Sequence, residues 1–374
     1  MSLPPILTRT EQIAEFAVQL SCYPVIAVDL EADSMHNYQE KVCLLQFTTP
    51  DTTVLIDPLA GADLSSLKPI FADGKIRKIF HAADYDIRCL ARDFAIEING
   101  LFDTMISSQF LGEAKFGLAD VMRKYFALEL DKQYQRADWS KRPLSEPMIR
   151  YAAADTTHLH ELADILEAKL IEMGRLEWVQ EEFALLEKVR FTTHDGAMFL
   201  RFKGAGTLGK RQLAVLENLL HWRDAEAKRW DRPLYKVFGN KELLALAREM
   251  PATTAQLARV AGVSSRLIDR FGRKILPSIT AALDLPAEVL PVYPRSERRA
   301  KDPQIEKRVS RLKEWRKAIA GKLALDPGVL INNTLLEELA RRLPGTASDL
   351  VEIEMLKTWQ RQVLGEGILQ TLSQ

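Results

Sequence analysis

The sequence predicts a mixed α/β domain followed by two all-α domains, and three observations support this division. Up to about residue 200, short β-branched and apolar runs alternate with segments of helical spacing. Beyond about residue 205, strand-like runs no longer occur. The chain instead repeats itself with an offset of 93 residues. We therefore expect an α/β domain at 1–205, helical domains at 206–287 and 303–374, and a Pro-rich linker at 288–302.

The predicted strands lie in the first part of the α/β domain. Val25–Leu30, Val42–Thr48 and Thr53–Asp57 are bounded by turn residues, which predicts an antiparallel meander, and a further strand is expected at Lys78–His81. Helical spacing and start signals predict helices at Leu64–Phe71, Ala83–Arg92, Asp103–Leu111, Leu118–Tyr125 and Glu146–Met173. A mixed sheet with helices on its faces is the natural way to bury both kinds of element.

The repeat in the second half rests on identities at the same offset. They are Trp222 and Trp315, Arg223 and Arg316, Asn240 and Asn333, Leu243 and Leu336, Pro251 and Pro344, Gly272 and Gly365, and Ile275-Leu276 and Ile368-Leu369. Each repeat is long enough to hold its own core. Trp222 and Trp315 are expected to anchor these cores.

Charge is divided unevenly although the 374-residue chain has a formal net charge of zero. Residues 1–200 hold 20 Lys and Arg against 31 Asp and Glu, and residues 201–374 hold 31 against 20. An acidic half that demands cations and a basic half that suits a polyanion are expected. Cys22, Cys43 and Cys89 give neither a disulfide framework nor zinc-ligand spacing. With no leader-like N-terminus and no long apolar run, we expect a cytoplasmic protein without a membrane partner.

Three acidic motifs are candidates for a metal site. Asp29 and Glu31 lie two apart at the end of a predicted strand and so share one face, where a divalent ion could hold them together. Asp86 follows His81 near the start of a helix, beside its apolar side. Tyr151 and Asp155 are four apart on a helix and share a face. Each motif by itself also fits a plain structural role: a solvated acidic pair, a helix cap, or a packed Tyr beside a solvated Asp.

In this order, D-x-E, H-x4-D and Y-x3-D resemble the motifs of the DEDD exonuclease superfamily, in its tyrosine-bearing branch. The other branch would have a His at position 150, where this chain has Arg150. The segments FDT (102–104) and LDKQYQRADWSKRPLS (130–145) resemble ribonuclease D proteins, and the two repeats resemble HRDC domains. The opening DLEADSMHNY departs from the usual D-T-E-F and is closer to Rrp6-like relatives. The resemblance covers nearly the whole chain and implies an RNase H-like exonuclease domain followed by two HRDC-type domains.

The resemblance also implies a mechanism with two Mg²⁺ or Mn²⁺ ions. Asp29 would bridge both ions, Glu31 and Asp155 would complete the ion site that activates water, Asp86 would support the second ion, and Tyr151 would orient the attacking water. An all-oxygen site favours Mg²⁺ or Mn²⁺ over Zn²⁺. The implied reaction is removal of 5′-mononucleotides from RNA 3′ ends.

Candidate substrate contacts are of two kinds. Near the catalytic motifs, basic side chains could hold phosphates and an indole could stack a base, at Lys132, Arg136, Trp139 and Arg142. For Trp139, packing in the core is at least an equal expectation, and His81 is expected to be structural. In the first repeat, basic residues that could bind phosphates are Lys228, Arg229, Arg232, Lys236 and Lys241.

The first repeat is expected to bind nucleic acid, because residues 201–300 hold 19 Lys and Arg against 10 Asp and Glu, whereas residues 301–374 hold 12 against 10. The second repeat is expected to pack, to act as a spacer or to help form a ring. We expect a monomer that matures tRNA precursors with single-stranded 3′ tails. A DNA 3′–5′ exonuclease and a non-catalytic RNA-binding protein are the alternatives.

Overall fold

The protein is described by a computed structural model that covers residues 3–192, 196–294 and 302–373. Its described part contains one six-stranded sheet with the strand order β1-β4-β3-β2-β5-β6. The strands are β1 (Ile6–Leu7), β2 (Val25–Ala32), β3 (Val42–Thr48), β4 (Thr53–Ile56), β5 (Arg77–Phe80) and β6 (Leu101–Asp103). β2, β3 and β4 form the predicted antiparallel meander, and β1, β5 and β6 each join their neighbours in parallel.

The helices of the α/β domain cover the sheet and extend to residue 186. They are α1 (Thr10–Leu20), α2 (Lys68–Ala72), α3 (Asp84–Phe94), α4 (Thr104–Phe110), α5 (Leu118–Phe126), α6 (Glu146–Thr157), α7 (Leu159–Glu172) and α8 (Leu176–Leu186). The single helix predicted at 146–173 is wrong in one respect, because it is broken at His158, which lies between α6 and α7. β1, β6, α1 and α8 were not predicted.

Two helical repeats follow, each with five helices in the same order. Repeat 1 contains α9 (Lys210–Trp230), α10 (Leu234–Val237), α11 (Asn240–Glu249), α12 (Thr254–Leu257) and α13 (Ser265–Leu283). Repeat 2 contains α14 (Pro303–Leu323), α15 (Pro327–Leu330), α16 (Asn333–Arg342), α17 (Ala347–Val351) and α18 (Thr358–Ser373). Trp222 and Trp315 are half-buried against the cores of their repeats, as expected from the sequence.

The described chain divides into two compact units. Of the described residues, the first comprises 3–32, 42–191 and 302–373, so that the α/β domain and repeat 2 belong together. The second comprises 33–41, 192 and 196–294, so that repeat 1 takes in a short segment from between β2 and β3. The compact units therefore differ from the partition predicted from sequence: residues 33–41, 192 and 196–205 belong with repeat 1. Residues 295–301 of the predicted linker lie outside the described residues.

Burial explains the strand pattern. All seven residues of β3 are buried, which requires cover on both faces of the sheet. Leu45 and Phe47 enter the main core, whereas Leu44 joins a second cluster with Leu55 and with Ala152 of α6. Within the described ranges, no helix is both long enough and apolar enough to span a lipid bilayer.

Candidate active site

Strand β2 presents two carboxylates, Asp29 and Glu31, on one face of the sheet. Val28 and Leu30 alternate with them and are buried in the main core on the other face. The parallel pairing of β2 with β5 covers only Val25–Ala27, so both carboxylates lie beyond its end. This alternation explains why the D-x-E spacing brings the two acids to one place.

The turn between β5 and α3 positions Asp86, which lies in the first turn of α3 and is buried. The turn passes through Ala82 with a φ of 70°. The buried carboxylate of Asp103 holds this turn by accepting hydrogen bonds from backbone N–H groups on both sides, those of Ala82, Ala83, Met105 and Ile106. Asp103 therefore joins the start of α3 to the start of α4, and through that link it sets the direction of Asp86.

Helix α6 contributes Tyr151 and Asp155, one turn apart. The Tyr151 hydroxyl lies close enough to the Asp155 carboxylate to lower its pKa. Ala152 between them is fully buried, so the helix lies close to the sheet. The hydroxyls of Thr156 and Thr48 lie 2.7 Å apart and connect α6 directly to β3. The predicted shared face of Tyr151 and Asp155 is confirmed.

The four acids interact although they come from three separate segments. The carboxylates of Asp29 and Asp86 both lie close to the backbone N–H of Leu30, which lowers the pKa of each. Burial raises the pKa of Glu31 to about 10, helped by the negative charges of Asp29, Asp155 and Asp86. Burial likewise raises the pKa of Asp29 to about 7 and that of Asp155 to about 8, and it holds the pKa of Asp86 well above its usual value. Each carboxylate here favours a proton or a cation.

The donor set fits a divalent cation. All four groups offer oxygen, and the effects that lower their pKa values are hydrogen bonds from the backbone and from Tyr151 rather than nearby basic side chains. As they stand, no three His, Cys, Asp or Glu side chains of the described residues form a group that could hold a metal ion. The carboxylates would therefore have to draw together around an ion, which would supply the positive charge that the site lacks.

Tyr151 is a hydrogen-bond donor rather than a base in this site. Burial raises its pKa well above 10, and the charges of Asp155, Glu31 and Asp29 raise it further. The phenol is thus neutral at physiological pH and holds its proton.

A cavity of about 310 Å³ opens beside these groups. Its lining includes Asp29, Tyr151 and Asp155, together with His81 and Lys132. Lys132 is exposed and therefore remains a candidate for binding a phosphate near the carboxylates. Arg136, in the same loop, is exposed as well but does not line this cavity.

The stacking role considered for Trp139 is wrong. Its side chain is 1% exposed and packs with Leu44, Ile149 and Ala152, so no base can reach the indole. The centroid of its ring lies 6.0 Å from that of Tyr151, so the indole packs against α6, the helix that carries Tyr151 and Asp155. Packing in the core, the alternative considered from sequence, is what the structure has.

The phosphate-binding role considered for Arg142 is also wrong. Its guanidinium forms an ion pair with Asp57, with Nε–Oδ2 and Nη2–Oδ1 distances of 2.5 and 2.7 Å. The remaining N–H groups donate to the carbonyl oxygens of Trp139, Lys141 and Cys43. All five donors are therefore used within the protein.

The basic candidates of repeat 1 lie in the second compact unit, and all are exposed: Lys228, Arg229, Arg232, Lys236 and Lys241. Arg229 pairs with Glu226 at 2.9 Å. Their role in binding RNA stays a prediction.

Two residues near the site were not assigned a functional role from the sequence. Asp103 could have been found as a helix cap, because an Asp directly before an apolar helical segment is a common start signal. His81, expected to be only structural, is half-buried and shares a 2.9 Å hydrogen bond with Thr104 through Nδ1, yet it also lines the cavity. Burial lowers the pKa of His81 to about 4, so the ring is neutral.

Comparison with protein-family models gives two matches. A 3′–5′ exonuclease model matches residues 4–171, and an HRDC domain model matches twice, at 212–279 and 305–372. The two HRDC matches coincide with repeats 1 and 2, and the exonuclease match contains all five candidate catalytic residues.

Curated and solved relatives extend over most of the chain. A ribonuclease D from Granulibacter bethesdensis is 30% identical over 370 residues, which cover 98% of this chain and 92% of the relative. The crystal structure of Escherichia coli RNase D, described as an exoribonuclease involved in structured RNA processing, is 25% identical. It aligns with a TM-score of 0.74 over 100% of this chain and 99% of that one. The catalytic core of RRP6 from Trypanosoma brucei is 29% identical and aligns with a TM-score of 0.64 over 75% of this chain and 79% of that one.

Proposed function

The chain belongs to the ribonuclease D family and is a 3′–5′ exoribonuclease, and we propose that it trims RNA by two-cation hydrolysis at the site of Asp29, Glu31, Asp86 and Asp155. One observation carries this proposal: four carboxylates from three segments are buried together beside a neutral tyrosine. Burial raises all four pKa values, and the charge of Asp29 raises those of Glu31, Asp86 and Asp155 further. Buried carboxylates without a basic partner do not stabilise a fold, whereas a cation site needs them to bind the ion.

The four carboxylates are the residues that would hold the cations, with Asp29 between the two. When bound, the cations would activate a water molecule and neutralise charge on the phosphate and on the leaving oxygen. Asp86 is kept in place by the turn that Asp103 holds, so the proposed ligands on β2 and α3 are set by backbone geometry.

Tyr151 would orient the attacking water. Its hydroxyl lies beside Asp155, and its raised pKa keeps the proton on the phenol. The phenolic oxygen can still accept a hydrogen bond from a water in the cavity beside it. We therefore assign Tyr151 to positioning the nucleophile, and attack at the last phosphodiester would release one 5′-mononucleotide at a time.

The proposed substrate is a structured RNA with a single-stranded 3′ tail, such as a tRNA precursor. The cavity beside the carboxylates, of about 310 Å³, would take the end of a single strand, and Lys132 could contact its phosphates. The exposed basic residues of repeat 1 would bind the structured part. The description of the Escherichia coli relative as a processor of structured RNA supports this choice.

The experiment is a time course on a 3′-extended tRNA and on a DNA oligomer of the same tail sequence, with Mg²⁺, Mn²⁺ or a chelator. We expect stepwise shortening of the RNA from its 3′ end, release of 5′-mononucleotides, and no reaction in chelator. Asp29→Asn should abolish the reaction while RNA binding persists. Faster loss of the DNA oligomer would show the DNA exonuclease instead, and RNA binding with no cation-dependent release would show a binding module.

A further inference from the structure

Strand β3 contains a buried amide for which the fold supplies no partner. Gln46 is 0% exposed within the apolar sequence VCLLQFT. Neither its Oε1 nor its Nε2 has a hydrogen-bond partner. Each of the other residues with a buried unpartnered side-chain atom, among those described, contributes only one such atom. Buried amides are normally hydrogen-bonded, so this one calls for a specific explanation.

The pairing register places Gln46 beside the catalytic carboxylates. It lies opposite Asp29 on β2 and opposite Leu55 on β4. Directly opposite residues of antiparallel strands point to the same face, with Cβ atoms roughly 4.5–5.5 Å apart. Gln46 and Asp29 are therefore neighbours on one face of the sheet.

Helix α6 covers this face. Leu44 and Leu55, which flank Gln46, pack in one cluster with Ala152. Thr48, two residues further along β3, meets the hydroxyl of Thr156. Gln46 thus lies beneath the helix that carries Tyr151 and Asp155.

We propose that Gln46 is a positioning residue of the cation site, which hydrogen-bonds the Asp29 carboxylate and the water molecules that accompany its cation. Nε2 can donate to a carboxylate oxygen, and Oε1 can accept from a cation-bound water. Such partners orient metal ligands and are typically worth about 10–100-fold in metal affinity or activity. This inference rests on the proposed function, because it needs a cation at Asp29.

Neighbouring Thr48 provides a matched control. It is also a buried polar residue on the same strand and face, but its hydroxyl is satisfied within the protein, by Thr53 at 2.9 Å and by Thr156 at 2.7 Å. Removing a side-chain group that is hydrogen-bonded lowers the stability of the folded chain, whereas removing a buried group without a hydrogen bond leaves the stability unchanged or raises it.

The experiment compares Gln46→Met and Gln46→Leu with Thr48→Val in the full chain. Thermal unfolding is measured in chelator, Mn²⁺ affinity by calorimetry, and kcat and KM on a single-stranded RNA. The Gln46 variants should keep or raise the metal-free Tm by on the order of 2 °C, because an unpaired buried amide is lost. They should weaken Mn²⁺ binding about 10-fold and lower kcat, with KM for RNA unchanged. Thr48→Val should lower the Tm and leave Mn²⁺ affinity unchanged.

Two results would overturn the inference. If the Gln46 variants lose metal-free stability but bind Mn²⁺ with the wild-type affinity, the amide is a structural group held by an ordinary buried water. If stability and Mn²⁺ affinity are both unchanged, the amide has no link to the cation. A wild-type chain that neither binds Mn²⁺ nor shortens RNA would instead remove the proposed function itself, and the wild-type measurements separate that failure from the other two.

Discussion

Repeats 1 and 2 share one fold and one internal contact but use equivalent surfaces for different purposes. In repeat 1, Arg223 donates to the Oδ1 atom of Asn240 at 2.6 Å, and in repeat 2, Arg316 donates to that of Asn333 at 3.1 Å. Each arginine also donates to the backbone carbonyl oxygen two residues before that asparagine, Phe238 in repeat 1 and Ile331 in repeat 2. The same contact therefore recurs 93 residues further along the chain.

Repeat 2 is held against the α/β domain through the start of α18 and the end of α14. Trp359 stacks on Trp178 of α8 with ring centroids 5.2 Å apart, and its Nε1 donates to Glu182. Arg175 donates to the carbonyl oxygens of Leu323 and Phe110 and so bridges the two parts. Further contacts come from Lys357 to Glu182, from the N–H groups of Thr358 and Trp359 to Glu181, and from Gly112 to Ala324.

Repeat 1 has different residues at the equivalent positions. Ser264 and Arg266 replace Lys357 and Trp359, and Asp231 replaces Ala324. Asp231 instead accepts a hydrogen bond from the backbone N–H of Tyr38, in the short segment 33–41.

The basic residues show the reverse pattern. Of the five candidates in repeat 1, four have uncharged counterparts in repeat 2, namely Gly321, Leu325, Val329 and Thr334, and only Arg229 has a basic one, Lys322. Leu325 is buried and, like Val329, lines a cavity next to the α/β domain. The comparison teaches that repeat 2 uses these positions to pack on the α/β domain, whereas repeat 1 has exposed, mainly basic side chains there.

The largest expected effect tests the contact between repeat 2 and the α/β domain. Trp359→Ala should lower the free energy of unfolding of the first unit by about 3–5 kcal/mol, because it removes a buried indole and leaves a cavity. Arg266→Ala, at the equivalent exposed position of repeat 1, should change stability by less than about 0.5 kcal/mol. Denaturant unfolding measures both. Equal effects would contradict the division of roles between the repeats.

The next effect concerns pH and separates the two units. The pKa values of Asp29 and Asp155 rise from 3.8 to about 7 and about 8 in the folded chain, so the folded state binds protons more tightly than the unfolded one. Without metal, the first unit should therefore be most stable at low pH and should lose at least about 2 kcal/mol between about pH 5 and about pH 7.

Saturating Mn²⁺ should remove most of this dependence, because the cation replaces the protons. The second unit, which contains repeat 1 and none of these carboxylates, should show little of it. Calorimetric scans across pH, with and without Mn²⁺, measure this, and a pH-independent first unit would count against the cluster.

A smaller effect tests the exposed basic residues of repeat 1. Lys228→Ala, Arg232→Ala and Lys236→Ala combined should weaken RNA binding about 10-fold at moderate salt and reduce the salt slope by about 2, if each contacts one phosphate. Lys322→Ala, which removes an exposed lysine of repeat 2, is the control and should leave the affinity nearly unchanged. Fluorescence anisotropy over a salt series measures both, and a triple variant with the wild-type slope would place RNA binding elsewhere.

The smallest effect concerns the Arg–Asn hydrogen bond that both repeats share. Asn240→Ala should destabilise repeat 1 by about 1 kcal/mol more than Asn333→Ala destabilises repeat 2. Arg223 is 5% exposed and would keep only the carbonyl oxygen of Phe238 as its acceptor, whereas Arg316 is half-buried and can turn to water. Urea titrations of the two variants measure the difference. A larger loss of stability in the Asn333→Ala variant would show that burial of the arginine does not determine how much the Arg–Asn hydrogen bond stabilises its repeat.

The sequence by itself determined the elements whose signals are local. Alternation along β2 puts Asp29 and Glu31 on one face, a spacing of four puts Tyr151 above Asp155, and the 93-residue offset identifies both helical repeats. These predictions needed only the periods of strand and helix and the recurrence of identical residues at one offset.

Only the tertiary structure decided the roles that depend on distant partners. Trp139 and Arg142 are candidates for RNA contact by residue type, but burial beneath α6 and an ion pair with Asp57 make them structural. The assignment of repeat 2 to the catalytic unit and the isolated amide of Gln46 opposite Asp29 were equally out of reach. The physical reason is that periodicity records which face a residue occupies, whereas burial, pairing and charge coupling depend on which remote segment covers that face.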